Sequence, residues 1–199
     1  YQASLYPREK YVSGSLLVNQ VAFFLNANER IKLAKKFVDG AAGNIIRNLR
    51  RWECETDEIE ALREKLQIQE SIPGVMQIEG KIREIYYSKI DEIVPDEFKM
   101  GKRERQPPNN KMNALMSFGN MLMYSTVLTE IYNTQLNPTI SYLHEPSERR
   151  FSLSLDIAEI FKPIVVDRII IKLIHKNQLE DSDFVKDLNE VLLSDSGKR

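Results

Sequence analysis

Lys111-Met-Asn-Ala-Leu-Met-Ser-Phe-Gly-Asn-Met-Leu-Met-Tyr-Ser-Thr-Val-Leu-Thr-Glu-Ile-Tyr-Asn-Thr-Gln-Leu136 decides the fold class. Its apolar residues, Leu115, Met116, Phe118, Met121, Leu122, Val127, Leu128 and Ile131, lie nearly all round a helix. A helix of that kind belongs at the centre of a bundle. Asn109 or Asn110 supplies its N-cap, and Asn137-Pro138 ends it.

The flanking segments repeat the helical period. From Leu16 onward, Leu17, Val21, Phe24 and Leu25 recur at three and four residues. Ile31, Ala34, Val38, Ile45 and Leu49 continue the pattern, with Gly40 and Gly43 as interruptions. Asp57 to Gln69 reads as a charged amphipathic helix. Pro73-Gly74 opens another, striped by Val75, Ile78, Ile82, Ile85 and Tyr86 and closed by Pro95. Lys99 to Pro108 is a basic loop, and Thr139 to Arg150 is a second loop. Phe151 to His175 is helical with a break at Pro163, and a last short helix falls within Asp183 to Leu193. The expected fold is all-α, a multi-helix bundle over residues 14–199, preceded by a short strand or linker stub over residues 1–13.

Composition sets limits on function. The 199 residues are enough for one or two domains with a sizeable core. The 28 Lys plus Arg against 29 Asp plus Glu leave a net charge of −1, so a nucleic-acid binder built this way must sort its charges into patches. Cys54 is the single cysteine, which excludes an internal disulfide and fits a reducing cytoplasm. No apolar run is long enough to span a bilayer. The chain opens on Tyr1 and closes on the polar run Ser194 to Arg199, and the expectation is a piece of a longer protein.

Four residues stand out for chemistry. Glu79 borders the apolar stripe of its helix; it either pairs with Lys81 or Arg83 at the stripe edge or serves a metal. Asp156 and Glu159 share one helical face in an apolar segment. Their mutual repulsion calls for a cation, whether Arg149, Lys162 or Arg168 at the surface, or a metal. His144 is a loop histidine, usually plain polar surface. Together Glu79, His144 and Glu159 would make an oxygen and nitrogen set suited to Mn2+ or Mg2+. The basic clusters Arg47-Arg50-Arg51, Lys99-Lys102-Arg103-Arg105 and Arg149-Arg150 read either as solvated faces or as phosphate contacts. No zinc-type Cys/His cluster, phosphate-binding Gly loop or Ser-His-Asp signature is present.

Three stretches carry a resemblance to a known family. They are Glu79-Gly-Lys-Ile-Arg-Glu-Ile-Tyr-Tyr87, Gln106-Pro-Pro-Asn-Asn-Lys-Met-Asn113-Ala-Leu-Met-Ser-Phe-Gly119-Asn, and His144 to Arg168 with its Leu-Ser-Leu-Asp156-Ile-Ala-Glu159-Ile-Phe-Lys-Pro core. In this order they resemble the helical catalytic lobe of Cas1, the CRISPR-associated integrase family. Tyr6 to Gly14 resembles the junction after that family's β domain. The resemblance implies a divalent metal, Mn2+ or Mg2+, held by Glu79, His144 and Glu159, with Asp156 as a further required acid. Tyr124 falls where some members carry a tyrosine near the DNA end. Lys102, Arg103, Arg105, Arg149 and Arg150 become candidates to hold DNA phosphates. The implied activity is a metal-dependent DNA endonuclease and integrase that inserts spacers by attack of a 3′-hydroxyl on a phosphodiester. The implied partners are prespacer, CRISPR-repeat and branched DNA, a second copy of the intact chain and the small Cas2 protein, with no membrane. The N-terminal β domain and the basic C-terminal tail of the family lie outside this sequence. A non-catalytic helical module that binds nucleic acid or a partner is the alternative; it would leave Glu79, His144 and Glu159 pointing apart. An unrelated metal nuclease would not need the Asn113 to Gly119 stretch.

Overall fold

The structure, a computed structural model, describes residues 13–104, 107–146, 151–187 and 190–198. The expected stub thus falls almost wholly outside the described residues, as do Arg105, Arg149 and Arg150. The rest is an all-α bundle completed by one small hairpin. Its helices are α1 (Gly14–Leu25), α2 (Ala27–Arg51), α3 (Asp57–Gln67), α4 (Ile72–Ile93), α5 (Lys111–Tyr132), α6 (Ser152–Lys162) and α7 (Arg168–His175). Among the described residues, no helix is long and apolar enough to cross a membrane.

Side-chain caps explain most of the helix starts. Asn26 divides what the periodicity runs together: its carboxamide oxygen accepts from the amides of Asn28 and Glu29, so α1 stops and α2 begins. Gly40 and Gly43 lie inside α2 without breaking it. Ser71 caps α4 through the Gly74 amide, with Pro73 in the first turn. Asn110 caps α5 through the Asn113 amide at 2.8 Å.

The centre of the bundle is α2, not α5. Ala34, Val38, Ala42, Ile45 and Leu49 make a buried stripe, and α2 packs on α1, α3, α4 and α6. Only one face of α5 is buried, with Met112, Leu115, Met116, Met123, Val127 and Ile131. On the other face Met121 and Leu122 are 54% and 50% exposed. That second apolar face lines an open cleft, which is why the helix reads as apolar all round without being enclosed.

The last expected helix is instead an antiparallel hairpin, β1 (Phe184–Asp187) with β2 (Glu190–Leu193), pairing Phe184 with Leu193 and Val185 with Leu192. Val191 and Leu193 are buried while Leu192 is exposed, the alternation of a half-covered strand. The Val191 amide also donates to the Pro108 carbonyl at 2.8 Å, anchoring β2 to the loop before α5.

The break at Pro163 is a single π-helical turn, Pro163–Asp167, between α6 and α7. Proline has no N–H, so the helical ladder loses a donor there. Two asparagines one turn apart on α2 donate to carbonyls on either side of this break. Asn44 donates to the Ile160 carbonyl at 2.7 Å and Asn48 to the Pro163 carbonyl at 2.6 Å. Asn48, fully buried, also accepts from Arg168 Nε at 2.6 Å and donates to the Tyr86 hydroxyl at 3.1 Å.

Helix α5 meets this turn at Gly119, where an added Cβ would lie 2.5 Å from Val166 Cγ1. Valine cannot swing aside without leaving its preferred rotamer. Gly119→Ala is therefore expected to destabilise the fold by about 1–3 kcal/mol despite alanine's better helix propensity. Chemical denaturation checks this, and trimming Val166 to Ala in the same chain should recover part of the loss.

Candidate active site

The candidate residues come from three helices and one loop: α5, α6 and the loop line the cleft, and α4 is tied to it through the ion pair of Arg83 with Glu159. Helix α4 presents Glu79, Arg83 and Tyr87 at four-residue steps, so all three share a face beside the buried stripe. Helix α6 presents Asp156, Glu159 and Lys162 at three-residue steps. Helix α5 contributes Ser117, Asn120 and Tyr124, and the loop after α5 brings His144. The cleft has a volume of about 810 Å3, and its polar lining includes Arg103, Ser117, Asn120, Tyr124, His144 and Glu159.

Asp156 organises the loop. It is fully buried, and a carboxylate there needs several donors. Its Oδ2 accepts the amides of Tyr142 at 2.6 Å and Leu143 at 2.9 Å. Its Oδ1 accepts the amide of His144 at 3.0 Å and lies 2.8 Å from His144 Nδ1. An ionised carboxylate can only accept, so Nδ1 carries the proton and Nε2 is the ring's outward nitrogen. Arg30 braces the same loop from α2, donating to the Tyr142 carbonyl at 3.0 Å and to Glu145 at 2.6 Å. Asp156 is thus a positioning residue for His144 in this geometry; among the described residues it pairs with neither Lys162 nor Arg168, and Arg149 lies outside them.

Glu79 and Glu159 are brought together by Arg83. Nε of Arg83 bonds Glu79 Oε1, and its NH2 forms an ion pair with Glu159 Oε2. Arg83 also donates to the Tyr87 hydroxyl at 3.1 Å. Burial works against the charge of Arg83, but Tyr87 and Glu79 more than offset it, and its pKa is raised. Lys162, itself buried, donates to Glu159 Oε1 at 2.6 Å and to the Tyr124 hydroxyl, with its Nζ 4.5 Å from the centre of the Tyr124 ring. Burial pulls the Lys162 ammonium below its ordinary pKa, and the nearby Arg83 charge adds to this.

Asp167 completes the cluster from the π turn. Burial raises its carboxyl from the ordinary 3.8 to about 6, even though Arg83, the Tyr86 hydroxyl, Lys162 and Arg103 all favour the charged form.

The expected trio is therefore gathered in pairs. Glu79 and Glu159 share one guanidinium, while Glu159 and His144 share the cleft. Among the described residues, no three His, Cys, Asp or Glu side chains stand close enough to hold a metal ion. The donor types nevertheless suit a hard divalent cation: two carboxylates already converge on one positive centre, and one imidazole is oriented by a carboxylate behind it. Arg83 occupies the position of that positive centre.

Of the basic candidates, Lys102 is exposed. Arg103 donates to Asn113 Oδ1 at 3.0 Å and to Ser117 Oγ at 3.1 Å, tying the basic loop to α5. A second cleft, about 990 Å3, opens between α2 and α3. There Arg63 is bound by Asp39 at 2.6 Å and Arg50 by Glu60 at 2.9 Å, so these two arginines already have anionic partners.

Comparison with known proteins follows the same lines. The family described as CRISPR associated protein Cas1 matches residues 1–199. The chain belongs to the Cas1 family. Its relatives include a CRISPR-associated protein Cas1 of Methanobrevibacter ruminantium, 54% identical over 198 residues, covering all of this chain and 61% of that protein. A CRISPR-associated endonuclease Cas1 of Methanothermobacter thermautotrophicus is 51% identical over 199 residues, covering all of this chain and 59% of that protein. The chain thus spans about three fifths of the length of the curated relatives it matches. A solved Cas1 structure from Thermotoga maritima superposes with a TM-score of 0.92 at 41% identity, covering 98% of this chain and 63% of that one. This chain corresponds to the helical C-terminal lobe of Cas1.

Two outcomes follow from the charge cluster. Arg83→Met leaves Glu79 and Glu159 facing each other, and denaturant titration should show a loss of about 3–5 kcal/mol. Asp167 holds its proton up to about pH 6 in the fold but releases it near 3.8 when unfolded. The native state thus binds more protons across that window, and stability falls as pH rises through it. Asp167→Asn should remove this slope, gaining on the order of 3 kcal/mol relative to the parent by neutral pH. Melting curves from pH 4 to 7 on both chains make the comparison.

Proposed function

We propose that this lobe carries the active centre of a metal-dependent DNA endonuclease and integrase of CRISPR adaptation, joining a DNA 3′-hydroxyl to a phosphodiester of the repeat. The observation that supports it most is the meeting of Glu79 and Glu159 at one cationic position, Glu159 lining the same cleft as the oriented ring of His144. Glu79, His144 and Glu159 are the residues that would hold Mn2+ or Mg2+. Such an ion, when bound, stabilises charge on phosphoryl oxygens and lowers the pKa of an attacking hydroxyl.

The chain's own residues supply the rest. Asp156 fixes the tautomer of His144 and the direction of Nε2. Lys162 and Arg83 hold Glu159 at the cleft wall and balance its charge. Tyr124, hydrogen-bonded to Lys162, sets a hydroxyl over the same cleft. Arg103 lines the same cleft and Lys102, next to it in the chain, is exposed; these cations are the candidates to hold phosphates, and such contacts position DNA without reading its sequence. DNA, a second copy of the intact protein and Cas2 are the proposed partners.

The non-catalytic alternative draws on Arg83, since a guanidinium that satisfies both carboxylates leaves them no need of a metal. Calorimetric titration with Mn2+ separates the readings. The parent should bind one ion per lobe and His144→Ala should not. Equal heats from both chains would remove His144 from the ligand set. Absence of binding in the intact protein would favour the non-catalytic module.

A further inference from the structure

Asn120 is the one polar side chain on the cleft face of α5 left without a partner by the network described above. It lies one turn beyond Ser117 and one turn before Tyr124, and all three line the cleft. Ser117 Oγ accepts from Arg103, and the Tyr124 hydroxyl accepts from Lys162. Asn120 Oδ1 is shielded from solvent and has no hydrogen-bond partner among the described residues.

A carboxamide oxygen shielded from solvent and left unpaired is costly, and a fold that tolerates one on a half-buried cleft residue in the same lining as His144 and Glu159 calls for an explanation. An apolar residue of the same size would have cost less. A carboxamide is distinctive in offering one acceptor and one donor side by side.

We propose that Asn120 is a substrate-positioning residue whose carboxamide receives a polar edge of the terminal nucleotide of a DNA strand lying in the cleft. This rests on the nucleic-acid reading of the site. Two parts of that nucleotide present a suitable edge: the sugar 3′-hydroxyl, which donates and accepts, and the base, whose pairing edge sets a donor N–H beside an acceptor. The carboxamide would pair with the arriving edge, and the deficit of the empty site would become affinity for the correctly placed strand end.

The test uses the intact protein and a short fluorescent DNA with a single-stranded 3′ end. Thermal melting is measured without DNA and anisotropy with it, for the parent and for Asn120→Leu. The expected result is a melting temperature equal to or above the parent's, with affinity for the 3′-hydroxyl probe about tenfold weaker. A probe ending in a 3′-deoxy sugar erases the difference if the hydroxyl is the partner. A probe with an abasic last nucleotide erases it if the base is. A lower melting temperature with unchanged affinity would overturn the proposal and make the amide structural. Unchanged values for both properties would also overturn it. So would a loss of affinity that persists on a probe lacking both hydroxyl and base. If the parent itself binds no DNA, the nucleic-acid reading fails first.

Discussion

Two carboxylates from different helices cannot sit together in a partly dry site without a positive charge between them, and here Arg83 supplies it. Glu79 and Arg83 lie one turn apart on α4, so their pairing is local. Glu159 comes from α6, about eighty residues later in the chain, and its tie to Arg83 joins the two helices across the site. Lys162, one turn beyond Glu159, places a second cation against the same carboxylate. Asp167 faces both cations from the π turn. The outcome is a nearly balanced knot of charge in which each member sets the conditions for the next.

His144 depends on a separate anchor. A loop between helices has few means of holding a side chain still, and this one borrows them from neighbours. Asp156 gathers three successive backbone amides and the ring nitrogen, while Arg30 clasps the loop from the far side. Gln20 on α1 ties down the start of the same loop through the backbone carbonyl and amide of Asn137. Helices α1, α2 and α6 thus all bear on the orientation of one imidazole, although none of them carries it.

Periodicity made the bundle legible, because buried stripes on α2 and α4 repeat at helical spacing. It misplaced the centre, because an apolar face that lines a cleft and one that fills a core look alike in sequence. It missed the Asn26 break, where a cap competes with an unbroken apolar pattern, and it took the final hairpin for a helix despite the in-out-in order of Val191, Leu192 and Leu193. At the site, Glu79, Asp156 and Glu159 stood out because acids in apolar segments are costly, whereas His144, by itself an ordinary loop histidine, entered through the donor set it would make with Glu79 and Glu159 and through the family resemblance. Arg83 was one of two partners weighed for Glu79, and the four-residue spacing favoured it. Its second bond, to Glu159, depends on how α4 and α6 pack, which local spacing does not encode. Asn48 and Asn120 look like ordinary helix-surface asparagines until the fold shows the first bonded at both ends of its carboxamide and the second, among the described residues, at neither.

The π turn at Pro163–Asp167 has a geometric meaning beyond the missing proline donor. Each residue advances an α-helix by about 100°, so one residue too many in a turn rotates everything after it by that angle. Asp167 and Arg168 therefore face directions that a regular continuation of α6 would have denied them, the first toward Arg83 and the second toward Asn48. One surplus residue acts as a phase shifter, letting a single rod of chain address two neighbours that its own pitch would have kept out of reach.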